Sequence, residues 1–590
     1  MEHLVELKNW WMNNPNVWFD STESDDIEIT DRFEHIDQIE FDLDKFATDD
    51  KFDESIGYII FQDQISRHIK RVKYLDDTYV TDKLDKLIEF VKNFYELNKT
   101  RLFGYDFCFV LLPLRHTCNF DLQTFVIGET WKKLNELNQL DDFHSTDIEE
   151  AKLIKIYRNY LKASYERIGY GPTYLASPSV TQINLREGIE QFIEMYKDIL
   201  DTSCHHYKFV SGLDLTPEFR NKHKNIIESI NKLKKHFDKK KLILSISGGV
   251  DSMVLSYVLK LEGIDFVMTH INYSNRGEIC EREKELLKNW AKYIGVELYI
   301  RDIYEITRPM CMKWDLRDLY ETYTKDARFQ AYIDTSINKG WDNYTVGLAH
   351  NHDDCVENIL TNICSKSKYD NLYGMELTSV IEFKPSNLVT HPIYFTRPFL
   401  NITKQEIYDF AHYLNIPYLF DSTPKWSQRG IIRDIVRPAL IKWNDTSIEG
   451  FDELALILGE SLECVDLLVS NWTDKIKPFD TLDKKDMVYI CKNKMSISMS
   501  NLIYTSFIVI KIAETDLKPN KIFWSRFLAK LGYKMGFKNL NNLVSRIKIF
   551  KQKFESGQID VKRLNQININ KENKIYFWKC LDSNIIIGFD

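Results

Sequence analysis

LILSISGGVDSMVLS, residues 242–256, places an apolar run, a glycine-containing loop and a second apolar run in direct succession. The first run predicts a buried strand and the second run predicts a helix. Between them, two adjacent glycines let backbone amides approach an anion closely, and the N-terminus of the following helix adds partial positive charge. The segment therefore predicts a phosphate-binding loop formed by Ser247, Gly248, Gly249, Val250, Asp251 and Ser252.

Three side chains of this loop suit a nucleotide and its metal ion. Ser247 and Ser252 offer hydroxyl donors, and the carboxylate of Asp251 can hold Mg²⁺ against phosphate groups. The loop lacks the Lys-Ser/Thr ending of a Walker loop, so it belongs to a different type of phosphate site.

Outward from the loop, strand-like and helix-like segments alternate. This alternation predicts an α/β fold with a doubly wound parallel sheet, in which ligands bind beyond the carboxyl ends of the strands. The predicted strands are Leu242–Ile246, Phe266–Asn272, Glu297–Asp302, Tyr344–Ala349 and Ile393–Phe395. The predicted helices are Ser252–Leu261, Glu278–Ile294, Lys325–Asn338, Val356–Cys364 and Lys404–Leu414. The insertion Tyr304–Thr322 is predicted to be a loop near the site.

The flanking segments differ from the middle of the chain. Residues 1–235 carry apolar side chains at helical spacing, as in Leu84–Tyr95 and Ile154–Tyr165, and predict an α-helical domain. A mostly helical, basic region of residues 446–590 follows the α/β domain of residues 236–445. Although the net charge of the chain is −9, Lys518–Lys579 holds 15 basic and 3 acidic residues. Local positive charge of this kind attracts nucleic acid, whereas the aromatic residues of Phe523–Phe527 are predicted to be core.

The cysteines and the N-terminus bear on location. The chain has 10 cysteines and no CxxC pair, which favours a reducing compartment over a disulfide framework. The sequence shows neither a signal peptide nor an apolar run of about 18 residues. We therefore expect a cytoplasmic protein without a membrane segment.

The loop motif and four further segments resemble the adenylating ATP pyrophosphatases, and among them the tRNA(Ile)-lysidine synthetases. Two of these segments are Thr269–Glu278, which includes His270, and Asp326–Phe329, which includes Arg328. Where the family has an upstream arginine, this chain has Lys325, which keeps the charge but loses the bidentate guanidinium.

The other two segments carry the acidic residues and three more arginines. Leu348–Asp354 and Glu357, with Leu372–Met375 behind them, are similar to the family's AHHxxDDxxET and LxGM patterns. The matches to RPLL, DxSN and RNxxR are Arg397–Leu400, Asp421–Thr423 and Arg429–Arg433, with Thr423 and Gly430 in place of asparagine.

The resemblance implies an enzyme that uses ATP and Mg²⁺ to adenylate the wobble cytidine in the anticodon of isoleucine tRNA and then joins free lysine to it. The loop and His270 would bind ATP. Arg328, Arg429 and Arg433 are candidates for stabilising the departing pyrophosphate. Asp354 would either accept a proton from the lysine ammonium group or hold Mg²⁺ together with Asp251.

Two other functions stay open. Enzymes of this fold that thiolate tRNA generally use paired cysteines, whereas Cys280, Cys311 and Cys364 are isolated. Cys355, beside Asp354, leaves a lone persulfide carrier conceivable. A non-catalytic protein that binds nucleotide or RNA is the other alternative, and the retained acidic and basic residues argue against it.

The N-terminal region has a second resemblance, to an uncharacterised family of helical, tetratricopeptide-like proteins. It rests on Trp18-Phe19, Asp31–Phe33, Phe61–Ile69 and Leu112–His116. The resemblance implies stacked helical hairpins. The Asp, Arg and His side chains of these motifs are predicted to form a buried salt-bridge network, and a small polar site is the alternative.

Overall fold

The structure is a computed structural model of the 590-residue chain. It describes residues 2–18, 21–41, 51–137, 148–176, 189–201, 216–237, 239–365, 373–384, 390–420, 427–478, 508–513, 516–517, 520–533, 535, 537–556, 565–568, 574–579 and 584–589. The chain divides into two compact units. The first is Met1–Leu348 with Thr378–Thr396 and Phe410–Phe420, and the second is Ala349–Leu377 with Arg397–Asp409 and Asp421–Asp590.

The first unit begins with helices, as predicted. They are α1 (Glu2–Asn13), α2 (Glu23–Phe33), α3 (Phe52–Ile60), α4 (Ser66–Lys73), α5 (Thr78–Asn98), α6 (Gly104–His116), α7 (Phe120–Glu136), α8 (Ile148–Arg167) and α9 (Ile189–Tyr196). A π-helical turn, Phe61–Ile65, joins α3 to α4. The stripes Leu84–Tyr95 and Ile154–Tyr165 lie on α5 and α8 and bury Val91, Tyr157 and Leu161 in the core. Phe19 lies outside the described residues.

A seven-stranded sheet forms the centre of this unit. Its strands are β1 (Tyr174–Leu175), β2 (Lys241–Ser245), β3 (Phe266–Asn272), β4 (Leu298–Asp302), β5 (Tyr344–Gly347), β6 (Thr378–Phe383) and β7 (His391–Thr396). The order is β1-β4-β3-β2-β5-β7-β6, and the five central strands are parallel. This order confirms the doubly wound parallel sheet. The edge strands β1 and β6 pair antiparallel and are absent from the predicted strands. Only two residues form β1, and β6 is mostly exposed, so neither carries a clear apolar pattern.

The helices between residues 217 and 414 largely follow the prediction. They are α10 (Pro217–Lys222), α11 (Lys224–Phe237), α12 (Val250–Leu261), α13 (Glu278–Ile294), α14 (Arg308–Lys313), α15 (Arg317–Asn338), α16 (His352–Cys364) and α17 (Lys404–Leu414). The prediction of a loop at Tyr304–Thr322 is wrong, because α14 and the start of α15 occupy it. Burial of Cys311, Trp314 and Tyr320 in the helical core stabilises this segment, and that burial cannot be seen in the local sequence.

The N-terminal helices and the α/β part share one continuous core. Trp11 and Phe107 belong to the same buried cluster as Trp314 and Tyr323. The short strand β1 also pairs with β4 of the sheet. The domain boundaries near residues 235 and 445 stay predictions, and a fragment ending at residue 235 would expose part of this core.

The second unit contains α16, α18 (Gln428–Ile431), a π-helical turn (Ile432–Val436), α19 (Arg437–Trp443) and α20 (Ser447–Thr473). Its C-terminal elements are β8 (Ile476–Pro478), β9 (Ile508–Ala513), α21 (Lys521–Lys530), α22 (Phe537–Glu555), β10 (Asn565–Asn568), β11 (Lys574–Lys579) and β12 (Asn584–Phe589). The five strands pair antiparallel in the order β10-β11-β12-β9-β8, a sheet that the sequence pattern does not predict. Phe523, Trp524 and Phe527 are buried between α20, α21 and this sheet, which confirms them as core. Within the described residues, no helix has both the length and the apolar character needed to cross a bilayer.

Candidate active site

The predicted phosphate loop connects β2 to α12. Because β3 and β5 flank β2, the loop lies where the chain order of the sheet switches direction, the usual position of ligands in doubly wound folds. Gly248 has φ +84°, and a Cβ at this position would lie 2.4 Å from the Leu419 side chain. Glycine is therefore required here both by the backbone and by the space available.

Hydrogen bonds within the loop hold its shape. The hydroxyl of Ser252 accepts from the Ser247 N–H at 3.2 Å and donates to the Gly249 carbonyl at 3.0 Å. Ser252 and Val250 are buried, whereas Ser247 is exposed. Ser252 thus positions the loop from within. The first N–H groups of a helix have no acceptor inside it, which suits the start of α12 to an anion.

His270 supports the loop from β3. It is buried, and its Nδ1 lies 3.0 Å from the Ile246 carbonyl oxygen. Burial lowers the pKa of His270, so the neutral imidazole is favoured. A carbonyl only accepts, so Nδ1 carries the proton. His270 thereby fixes the backbone that enters the loop, and its predicted contact with ATP stays a prediction.

Two further candidates of the first unit lie on α12 and α15. Asp251 is half-buried in the first turn of α12. Arg328 is half-buried on α15 and hydrogen-bonds to Tyr273, just beyond the end of β3. One helical turn on, the Tyr332 hydroxyl donates to the Ser245 hydroxyl at 2.8 Å, which ties α15 to the end of β2. Tyr332 is absent from the residues predicted for the site, although its position four residues after Arg328 places both on one helix face.

The candidates of the second unit gather at the start of α16. Asn351 caps this helix: its side-chain oxygen accepts from the Asp354 N–H at 3.1 Å. In return, Oδ2 of Asp354 accepts from the Asn351 N–H at 3.1 Å. This reciprocal pair is a capping box, and it orients the Asp354 carboxylate.

Arg433 joins the two acidic residues of α16. Its Nη2 lies 3.1 Å from Oδ1 of Asp354, and its Nε donates to Glu357. Burial raises the pKa of Glu357, although the ion pair with Arg433 opposes the shift. Arg433 lies in the π-helical turn, a rare distortion that is frequent at functional sites. The neighbouring Arg429 is exposed.

Asp251 and Asp354 are the two residues predicted to hold Mg²⁺, and the surrounding side chains suit the ion only at Asp251. Among the described residues, no three His, Cys, Asp or Glu side chains form a metal-binding group. Mg²⁺ commonly needs only one or two carboxylates together with substrate phosphates, so Asp251 fits. Both oxygens of Asp354 already have partners, so a metal there would displace Arg433 or the cap.

The cysteines that bear on thiolation differ in exposure. Cys280 and Cys311 are buried, and burial raises the pKa of Cys311 to about 12. Cys355, next to Asp354, is half-buried, and burial raises the pKa of its thiol. Cys364 is exposed. A raised pKa disfavours the thiolate that carries sulfur.

A known protein family matches the part of the chain that contains these candidate residues. The ATP-binding family described as the PP-loop domain matches residues 222–443, a range that contains every candidate residue above. This segment is a PP-loop domain. Leu372 and Asp421–Thr423, which complete two of its predicted motifs, lie outside the described residues.

Proteins similar to this chain include tRNA(Ile)-lysidine synthases. The synthase of Mesoplasma florum is 26% identical over 318 residues, which cover 50% of this chain and 72% of that protein. The synthase of Chlamydia muridarum is 29% identical over 195 residues, which cover 31% of this chain and 52% of that protein. Among solved structures, a U34-tRNA thiolase from Methanococcus maripaludis aligns with 17% identity and a TM-score of 0.31, over 41% of this chain and 79% of that chain.

Proposed function

We propose that this protein is an ATP-dependent tRNA-modifying enzyme that adenylates the wobble cytidine of an isoleucine tRNA and then joins lysine to it, giving lysidine. The observation that carries the proposal is the phosphate loop at the switch point of the parallel sheet, in a PP-loop domain related to lysidine synthases. A loop of this type binds phosphates through backbone amides.

The first step adenylates the base. The carbonyl oxygen of cytosine forms a bond to the α-phosphorus of ATP, and the bond from that phosphorus to pyrophosphate breaks. Negative charge grows on the departing pyrophosphate and needs fixed positive charge nearby. Arg328 is the candidate on α15, and Arg429 and Arg433 are the candidates in the second unit.

Asp251 would hold Mg²⁺ together with the phosphates of ATP. Mg²⁺ would neutralise phosphate charge and so assist the departure of pyrophosphate. The position of Asp251 in the first turn of α12 follows the loop directly, which supports this assignment.

The second step transfers lysine. The amine forms a bond to the carbon that bore the adenylated oxygen, the carbon–oxygen bond breaks, and AMP leaves. A lysine ammonium group has a reference pKa of ~10.4, so it must lose a proton before it attacks. Asp354, oriented by its cap and by Arg433, is our candidate for accepting that proton.

The cysteines support lysine transfer over sulfur transfer. A persulfide carrier needs a reactive thiolate, and burial opposes thiolate formation at Cys311 and Cys355. Lysine transfer needs no thiol. For tRNA docking, the exposed basic residues of α22 supply positive charge: Lys538, Arg546 and Lys548.

The test is a reaction of the full chain with ATP, ¹⁵N-labelled lysine and an isoleucine tRNA transcript, followed by mass spectrometry of the nucleosides. We expect labelled lysidine, with AMP and pyrophosphate in equal amounts. A transcript with uridine at the wobble position is the control and should stay unmodified. Release of ADP, or a thiolated nucleoside when a sulfur donor is supplied, would contradict the proposal.

A further inference from the structure

The helical part of the first unit contains a cavity of about 440 Å³ that the proposed tRNA chemistry does not use. Every residue that lines it belongs to α6 or α8. Its volume lies within the range of ~300–1,000 Å³ that is common for small-molecule sites.

The lining combines an apolar surface with positive charge. Phe109, Leu112 and Ile156 are buried and form the apolar part. Lys152 and Lys155 line it as well and are exposed, so they lie towards solvent. Among the described residues, no aspartate or glutamate lines the cavity. A partly open cavity that is lined by cationic groups and by no carboxylate favours an anion.

Arg115 is the cation deepest in this lining. The residue is only 8% exposed, and its guanidinium carbon lies 4.9 Å from the centre of the Tyr160 ring. Within the described part of the chain, Arg115 Nε and the Tyr160 hydroxyl are buried without a hydrogen-bond partner. Buried polar groups are nearly always hydrogen-bonded, and these two groups would gain an acceptor if their side chains turned towards an oxyanion in the cavity.

Asp63, a buried carboxylate whose charge acts on Tyr160, is already engaged. Asp63 lies in the π-helical turn, and its Oδ1 is 2.9 Å from Arg67 and 2.8 Å from His116. This pairing confirms the predicted buried salt-bridge network. Burial, together with repulsion from Arg115 and Arg67, lowers the pKa of Arg167. The positive charge of this region therefore exceeds what Asp63 neutralises.

We infer that the cavity binds a small organic oxyanion, a carboxylate or phosphate ester carried on an apolar body. Arg115 and the Tyr160 hydroxyl would bind the oxyanion, with Lys152 and Lys155 at the open side. The apolar residues would contact the body of the ligand. Arginine suits this task because its guanidinium matches carboxylate and phosphate oxygens. The inference is independent of the proposed tRNA modification.

Isothermal titration of the full chain at low salt tests the inference with three probes that share a phenyl ring. Phenyl phosphate and benzoate carry the two oxyanions, and benzyl alcohol is their neutral counterpart. We expect at least one anion to bind with one site per chain and the alcohol to bind at least about 10-fold more weakly, since a hydrogen bond to a charged group is worth ~1.5–3 kcal/mol. Whichever anion binds more tightly identifies the natural head group.

Substitutions then locate the bound anion. Arg115→Met should weaken binding roughly 10- to 100-fold. Because Arg115 is buried, Lys155→Met is a second variant at an exposed position and should weaken binding several-fold. Lys162→Met, on the same helix outside the lining, is the matched control and should leave binding unchanged. Ala163→Leu adds volume to the lining and should also weaken binding.

Selective loss of anion binding in the lining variants, with melting temperatures near that of the wild type, supports the site. If neither anion binds to the wild type at millimolar concentration, the inference is wrong. Equal binding of benzyl alcohol, or an equal effect of Lys162→Met and Lys155→Met, would also overturn it.

Discussion

Nη2 of Arg433 lies 3.1 Å from Oδ1 of Asp354, while Oδ2 of Asp354 caps α16 through the Asn351 N–H. One carboxylate thus has two partners of different kinds. The cap fixes its direction, and the guanidinium stabilises its charge. A reaction that uses Asp354 must therefore preserve its hydrogen bond with Asn351 and exchange its ion pair with Arg433.

Asp354→Asn separates these two interactions. The amide oxygen of Asn can still accept from the Asn351 N–H, so α16 should form normally. The charge that would receive the lysine proton is removed, so we expect turnover to fall at least ~100-fold while ATP binding persists. Asp452→Asn, which removes the carboxylate paired with His352, is the control and should retain most activity. Labelled lysidine formation at the wild-type rate in Asp354→Asn would remove this residue from the mechanism.

A matched pair of glycine substitutions tests the phosphate loop. In Gly248→Ala, the alanine would have to adopt φ +84° and its Cβ would clash with the Leu419 side chain. We therefore expect this substitution to lower the free energy of unfolding by about 1–3 kcal/mol and to weaken ATP binding. At Gly249, φ is −69° and a Cβ would lie 3.6 Å from the Ser247 hydroxyl. Gly249→Ala should therefore lower the free energy of unfolding by less than Gly248→Ala does. Denaturant unfolding and ATP titration measure both effects. Equal stability of the two variants would contradict the described loop backbone.

The pairing of Asp63 with Arg67 and His116 predicts a pH-dependent contribution to stability. Burial alone would raise the pKa of Asp63, but the attraction and hydrogen bond of His116, with those of Arg67, hold it well below its usual range. A depressed carboxyl pKa gives stability that is present above the unfolded-state value of ~3.9 and declines as the pH falls below it.

We therefore expect Asp63→Asn to lower the free energy of unfolding at pH 7 by about 3 kcal/mol or more, because Arg67 loses its buried counter-ion and His116 loses an ionised hydrogen-bond partner. The difference from the wild type should shrink as the pH falls below about 4. Thermal melts across this range measure it, with the exposed Asp82→Asn as control. A difference that stays constant with pH would show that Asp63 is not ionised in the folded protein.

The C-terminal sheet and core change the design of a tRNA-binding test. A chain truncated after Leu517 would lack Trp524 and Phe527, which pack in the core with Trp472 of α20, so the remainder would be damaged. Charge removal on the surface avoids this problem. Replacing the exposed Lys538, Arg546 and Lys548 with Ser should weaken tRNA binding. The slope of the logarithm of the binding constant against the logarithm of the salt concentration should become shallower by about 1 for each phosphate that the protein no longer neutralises.

Filter binding at several salt concentrations measures this change. Replacing Lys86, Lys92 and Lys99, in and just after α5, removes the same number of exposed charges and is the control. If both triple variants reduce affinity equally, net charge rather than the surface of α22 governs binding.

Agreement between the predicted and observed elements depends on the range of the interactions that form them. β3, α13 and α17 have the predicted bounds, because apolar periodicity and the left-handed Gly295 that ends α13 are local signals. The start of α15 at Arg317 is set by burial against distant N-terminal helices, which no local pattern contains.

The same distinction applies to the candidate site. The loop Ser247–Ser252 is a contiguous motif, and Gly248 stands where the backbone requires glycine. The hydrogen bonds of Arg433 with Asp354 and Glu357 span more than 70 positions of the chain, and Tyr332 reaches Ser245 across 87. Such pairings arise from the tertiary fold, so the sequence indicated the residues but not their partners.

The choice between lysine and sulfur transfer can be tested on the cysteines. Sulfur transfer requires a thiolate to carry sulfur or a cluster, whereas lysine transfer breaks a carbon–oxygen bond with an amine and releases AMP. We predict that a variant with Cys280→Ala, Cys311→Ala, Cys355→Ser and Cys364→Ser retains most lysidine formation. Alanine is used at the two buried positions because a hydroxyl there would lack a partner. Melting temperatures establish that the variant is folded, and the single variant Cys355→Ser separates chemistry from packing. Loss of modification in Cys355→Ser alone, or entry of labelled sulfur into the tRNA, would replace lysidine formation with thiolation.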